Sequence, residues 1–330
     1  MASPEPDFEP LLPPPTTERR FNSKPKRNCS CAKPVKLSFI PAFPCSMPHA
    51  ITVAHSPDSD DAFMHYGLSA HKVDAGDIEF RHVLRDIESL NHAASSGEYE
   101  VTALSIHAYA RLTDKYALLN HGGSMGEPGQ SGYGPRLVTH QPLSPDEAKR
   151  VKIAIPGLLT SAYLVLKLWA PDCEVVEVPF DQILPLVASG EFQAGLLIHE
   201  GQLTFGDSGT HLALDFGQWW GEQTGGLPLP LGGNAIRRDL DPDLQKRVSG
   251  LLRDSIAYSL QHRDEALDFA MQFARGLETD RSRADEFVGM YVNKRTLDYG
   301  EEGRHSVRLF LERGWEAGIL SEKPDVEFVD

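Results

Sequence analysis

Three features of the sequence predict an α/β fold built as two lobes around a cleft. Short β-rich runs alternate with amphipathic helical patterns from residue 50 onward, two glycine-rich passages interrupt that alternation, and almost everything after Asp241 has helical periodicity. Alternation of this kind calls for mostly parallel sheets, because parallel strands need a crossover that a helix supplies. In order, residues 51–55 read as a strand, followed by an Asp-rich turn and an amphipathic stretch containing Phe63, Met64, Tyr66 and Leu68. Residues 78–84 read as a strand, 87–94 as a helix, 101–106 as an apolar strand and 116–120 as another apolar run. A glycine-rich loop at 122–134 follows. The second series has strands at 151–155, 174–178 and 194–198, with helices at 160–169 and 180–189 between them. A second glycine-rich passage, 225–234, leads into the helical C-terminal part.

Two crossings with an α/β block between them mean that the chain leaves one lobe, builds another and returns. The expected boundaries are 49–134 with 235–330 for the first lobe and 135–234 for the second. In such an arrangement a ligand binds in the cleft, at the carboxyl ends of the strands.

Residues 1–48 stand apart. They hold seven Lys/Arg against four acids, and eleven of the 24 prolines. This composition predicts a disordered leader. The leader is +3, so the remainder carries −18 of the net −15. No uninterrupted apolar stretch in it suits a secretory signal, since Lys36 and Pro41 break residues 35–43. Met47, immediately before the first strand, is a second candidate start. Cys29, Cys31 and Cys45 lack a fourth ligand at zinc-site spacing, and Cys173 reads as a buried small residue, so the expected setting is reducing and cytoplasmic. An acidic body repels phosphate backbones and anionic lipid, which argues against nucleic acid or a membrane as partner. The expected partner is a small molecule, with at most a second copy of the chain.

Several catalytic patterns fail on context. Gly122-Gly123-Ser124-Met125-Gly126 matches the serine-hydrolase elbow, but no helix can follow it. His199-Glu200 begins like a zincin motif and lacks the second histidine, Leu203 standing in its place. No phosphate-binding glycine loop is present, so a nucleotide cofactor lacks a cradle.

Polar clusters at strand ends remain. Asp58, Asp60 and Asp61 follow Pro57 either as helix caps or as the lining of a cleft. Ser105, Ile106 and His107 close an apolar strand. Thr160, Ser161 and Ala162 open a helix after Gly157, where free N–H groups suit a carboxylate or an ordinary cap. His199 ends another apolar strand, where an imidazole serves as a general base or as a structural residue.

Taken together, the stretches AHSPDSDDAFMHYGL (54–68), ALSIHAYA (103–110), GYGPRLV (132–138), PGLLTSAYL (156–164), GLLIHEGQLTF (195–205) and LGGNAIRRDL (231–240) resemble the MqnD family. These are the 1,4-dihydroxy-6-naphthoate synthases of the futalosine route to menaquinone. The resemblance covers residues 50–330 and omits the leader. It implies a two-lobed fold similar to type II periplasmic binding proteins. It also implies a carbon–carbon lyase that cleaves cyclic dehypoxanthinylfutalosine to 1,4-dihydroxy-6-naphthoate and dihydroxyacetone without a cofactor. By the same matching, His199 falls at the proton acceptor, while Ser105, Ile106, His107, Thr160, Ser161, Ala162 and Asp58 fall at substrate-contact positions. The alternatives are the chorismate dehydratase of the same route, whose first turn lacks the Ser-Pro-Asp-Ser-Asp-Asp cluster, and a non-catalytic solute-binding protein, which would need an export signal.

Overall fold

In the computed structural model, residues 49–128, 133–199, 201–274 and 280–329 are described. The expected leader, 1–48, with Cys29, Cys31 and Cys45, lies outside them, as do Gly132 and Glu200 of the quoted stretches.

The first sheet starts with β1 (His49–His55), α1 (Ser59–Ser69), β2 (Ile78–Leu84), α2 (Ile87–Ala94) and β3 (Val101–Ser105). β1 pairs in parallel with both β2 and β3, with His55 opposite Leu84. Asp86 starts α2 by accepting hydrogen bonds from the Glu88 and Ser89 amides, satisfying two donors that a helix start leaves free. All five residues of β3 are buried, as a strand covered on both faces must be. It ends at Ser105, one residue before the expected end, and Ile106 begins the single turn α3 (Ile106–Tyr109). β4 (Tyr116–Leu119) and β5 (Ser124–Gly126) follow before the chain leaves this sheet.

The second sheet comprises β6 (Arg136–Thr139), α4 (Pro145–Ala148), β7 (Ile153–Ile155), α5 (Ser161–Trp169), β8 (Val175–Glu177), α6 (Phe180–Ala188) and β9 (Ala194–Leu197), and continues through the one-turn α7 (Gly201–Thr204), β10 (His211–Asp215) and α8 (Phe216–Thr224). Its strand order is β10-β6-β9-β7-β8. β7 runs parallel to β8 and β9, whereas β6 is antiparallel to β9 and β10. Both sheets are therefore mixed rather than mostly parallel.

The glycine-rich passage 225–234 differs from expectation. Most of it belongs to β11 (Leu229–Arg237), which pairs antiparallel with β3, β4 and β5 inside the first sheet. The return to the first sheet thus precedes Leu229, within the stretch expected for the second lobe. A register shift between Pro230 and Gly232 absorbs the turn-forming residues as a bulge. The helices α9 (Pro242–Gln261), α10 (Arg263–Ala270), α11 (Arg281–Tyr291), α12 (Lys294–Leu297) and α13 (Gly300–Glu316) follow, and β12 (Phe328–Val329) closes beside β4. No described helix is long and apolar enough to cross a membrane.

One core cluster runs through both sheets, joining Leu104 and Leu118 to Leu137, Ile153, Trp220 and Phe310. A second packs Phe63 and Met64 of α1 against Phe287 and Tyr291 of α11. These two clusters hold the strand ends that carry the polar residues against one another.

Candidate active site

A cavity, open at its mouth, lies where the carboxyl ends of β1, β3 and β9 meet the start of α5 and the middle of β11. Of the residues singled out from the sequence, Asp58, Asp60, Asp61, Ser105, Thr160, Ser161, Ala162 and His199 line it together.

Asp58 occupies the N-cap position of α1 with an extended backbone, yet its side chain makes no capping bond. The carboxylate instead accepts from Ser56 Oγ, and its Oδ2 lies 3.2 Å from His199 Nδ1. The contact is off the line of a hydrogen bond but within ion-pair reach, and it joins the start of α1 to the end of β9. His199 adopts φ 54°, a left-handed conformation that costs a non-glycine residue about 1–3 kcal/mol. Its ring packs 5.0 Å from the Phe180 ring, which fixes its orientation in the cleft. The choice between cap and cleft lining for Asp58 thus resolves toward the cleft.

Asp61 Oδ2 accepts the Ser56 amide at 2.7 Å. Burial, reinforced by the charge of Asp58, raises its carboxyl to about 7, with the Ser56 N–H opposing. Beneath this turn the rings of His55, His65 and His82 gather with centroids 4.3–5.5 Å apart. His55 Nδ1–H donates to the Ser56 carbonyl at 3.0 Å, so its Nε2 is the acceptor for His82 Nδ1–H at 3.2 Å. Burial lowers His55 to about 3 and His82 to about 4, and it lowers His65 strongly. Burial thus holds all three neutral at physiological pH, and His55 braces Ser56 without adding charge.

Ser105 is held by Asn91, whose Oδ1 accepts the Ser105 amide at 2.9 Å and whose Nδ2 donates to Ser105 Oγ at 3.1 Å. The Ser105 hydroxyl hydrogen is left to point elsewhere. Ile106 and His107 do not line the cavity. Ile106 is buried in the main core, and His107 donates from Nδ1 to the Thr160 carbonyl at 3.2 Å. Burial lowers the His107 imidazole to about 4, so this bond joins α3 to the start of α5 as a neutral contact.

Thr160 caps α5, its Oγ1 accepting the Tyr163 amide at 3.1 Å and donating to the Gly157 carbonyl at 2.8 Å. For this side chain the ordinary cap reading holds. Ser161 Oγ accepts the His107 amide and donates to the Leu231 carbonyl, so its hydroxyl is also committed. Ser161 and Ala162 line the cavity at the first two positions of α5, where the helix leaves their amides without an internal acceptor.

Beyond the Asp58 turn, four polar lining residues were not among the expected site residues: Ser124 on β5, Gln202 on α7, Asn234 on β11 and Tyr291 on α11. Gln202 Nε2 donates to Tyr291 Oη at 2.7 Å, leaving Gln202 Oε1 as a buried acceptor, and Asn234 Nδ2 is a buried donor without a partner. Asn234 and Gln202 lie in two of the quoted stretches and Ser124 in the rejected serine-hydrolase pattern, so Tyr291 alone of the four had no advance signal. Among the described residues no group of three His, Cys, Asp or Glu side chains is arranged to hold a metal ion.

The model of the Menaquinone biosynthesis family matches residues 51–316. The 1,4-dihydroxy-6-naphthoate synthase of Thermus thermophilus is 40% identical over 280 residues, spanning 85% of this chain and 99% of its own. That of Streptomyces coelicolor is 32% identical, spanning 82% and 94%. Among solved structures, a protein of Archaeoglobus fulgidus superposes with TM-score 0.77 at 47% identity, over 82% of this chain and 99% of that one. An alkanesulfonate-binding protein from Xanthomonas axonopodis reaches TM-score 0.62 at 11% identity, over 85% and 97%, a likeness of fold alone.

Proposed function

The chain belongs to the menaquinone-biosynthesis family of 1,4-dihydroxy-6-naphthoate synthases, and from that premise we propose that its cavity cleaves cyclic dehypoxanthinylfutalosine to 1,4-dihydroxy-6-naphthoate and dihydroxyacetone, as a carbon–carbon lyase with His199 as the base. The observation that carries this reading is the pairing of His199 with the buried Asp58 across the cleft. A base that takes a proton from carbon beside a carbonyl becomes an imidazolium, and a carboxylate 3.2 Å away stabilises that charge as it forms.

The free amides of Ser161 and Ala162 suit the substrate carboxylate, which the acidic body would otherwise repel. Ser105 and Asn234 supply donors for its hydroxyl and carbonyl oxygens, and Gln202 an acceptor. Thr160 contributes by starting α5, and His107 by tying that start to α3. Aromatisation of the product drives the cleavage, so the protein's work is to position substrate and move protons. Such a biosynthetic step is cytoplasmic on this reading, and the free buried Cys173 is compatible with a reducing compartment.

The test is incubation of the purified protein with the cyclic substrate, followed by mass detection of both products. Formation of naphthoate that is lost in His199→Ala is expected. No product above the no-enzyme control would overturn the reading.

A further inference from the structure

The proposed cleavage splits one molecule into two with no net gain or loss of protons. If His199 removes a proton, another group must deliver one. The electron pair of the broken carbon–carbon bond passes into the adjoining ring carbonyl. The oxygen that collects it becomes a product hydroxyl only by taking up a proton. We propose that Asp61 is the proton donor of the reaction, giving its carboxyl hydrogen to that oxygen while His199 holds the proton first removed. This inference rests on the synthase reading and extends it. Atoms balance over a turnover when the His199 imidazolium returns its proton to the Asp61 carboxylate as the products leave.

Geometry separates Asp61 from its neighbour. Ser56 serves both carboxyl groups, giving its hydroxyl hydrogen to Asp58 and its amide hydrogen to Asp61. Asp58 also has the imidazole of His199 beside it. Asp61 has no Lys, Arg or His within ion-pair reach among the described residues, and its side chain lies at the cavity wall with only 8% of the residue exposed. A buried carboxylate with one amide donor, no cation and a negative neighbour is poorly stabilised, so the protonated form is favoured. The surroundings do not reverse this. The charge that acts on Asp61 is that of Asp58. His65, one turn along α1, and His55 beneath the turn are held neutral by burial, and His199 pairs with Asp58. Burial raises the Asp61 carboxyl to about 7, which suits a donor working near neutrality.

The experiment has two readouts on the full chain. Infrared difference spectra between wild type and Asp61→Asn at neutral pH, without substrate, should show the C=O stretch of a protonated carboxyl in the wild type alone. Asp61→Glu, which keeps a carboxyl should the asparagine variant misfold, should retain that band. In steady-state turnover, Asp61→Asn should lower kcat by about 100-fold with KM within threefold, and it should abolish the fall of kcat on the alkaline side. A wild type lacking the band, or an Asp61→Asn variant with unchanged kcat and an unchanged alkaline limb, overturns the donor role and leaves the synthase reading standing. A wild type that shows the band and converts no substrate refutes both.

Discussion

Asp58→Asn removes the counter-charge of His199 while keeping the side chain's shape and an oxygen able to accept from Ser56 Oγ. The size of the effect follows from the site. Asp58 is 1% exposed and the His199 side chain 15%, so solvent and salt screen the pair little. A close charge pair shielded from water contributes about 1.5–3 kcal/mol, the low end of the range for such pairs. That contribution is absent while the imidazole is neutral and present once it has taken a proton, so it acts on the barrier rather than on binding. At about 1.4 kcal/mol per factor of ten, kcat should fall by about 10- to 100-fold with KM little changed. The assay is steady-state product formation followed by mass detection for Asp58→Asn, His199→Ala and the double variant. If Asp58 acts through His199, the double variant should be no slower than His199→Ala. A kcat for Asp58→Asn within twofold of wild type, or an independent further loss in the double variant, would refute the reasoning.

Gly233→Ala places a Cβ 2.5 Å from the hydroxyl of the fully buried Tyr299, so a loss of about 1–3 kcal/mol in urea unfolding is expected, and an unchanged midpoint would show that the ring can move. Asn91→Ala strips Ser105 of both bonds that hold it; a stability loss of about 1–3 kcal/mol and a raised KM should follow, and a variant with wild-type KM would deny Ser105 a binding role. Acid should unfold the protein early. His55 and His82 titrate at about 3 and 4 when folded against an ordinary 6.5, so the unfolded chain takes up protons that the native state refuses, and stability present above pH 6.5 is lost as pH falls. Asp61, raised to about 7, opposes one such proton between pH 7 and 4. With His65, His107 and His121 counted as well, four net protons imply a loss of about 5 kcal/mol per pH unit once the unfolded imidazoles are charged, and a urea midpoint that stays flat from pH 6.5 to 5 would contradict the buried neutral imidazoles.

Elements whose local chemistry agrees with their place in the fold were legible in the sequence. α2 has a capping Asp86 and an apolar face, and β3 is a short apolar run, so both appear where pattern puts them. β11 could not be read that way. Pro230, Gly232 and Gly233 carry turn chemistry, and only pairing with β3 and β4 on either side makes a strand of them. Asp58, Ser105, Ser161 and His199 were visible as polar residues at element ends. Which of them would meet was not, because the pairing of Asp58 with His199 joins two sheets. Tyr291 gave no signal, since it looks like any aromatic residue of a helix until α7 and α11 are brought together, and Gln202 had only its place in a quoted stretch.

β11 gives one wall of the cavity and the middle of a sheet to the same nine residues. Asn234 faces the ligand space, Gly233 leaves room for Tyr299, and the Leu231 carbonyl receives the Ser161 hydroxyl. Side chains alternate along a strand, so deleting one residue between 229 and 233 would turn Asn234 toward the opposite face and set its Cβ against Tyr299. Length variation among relatives should therefore be excluded from this segment and accumulate in the surface loops, making β11 the ruler against which an alignment of the family is anchored.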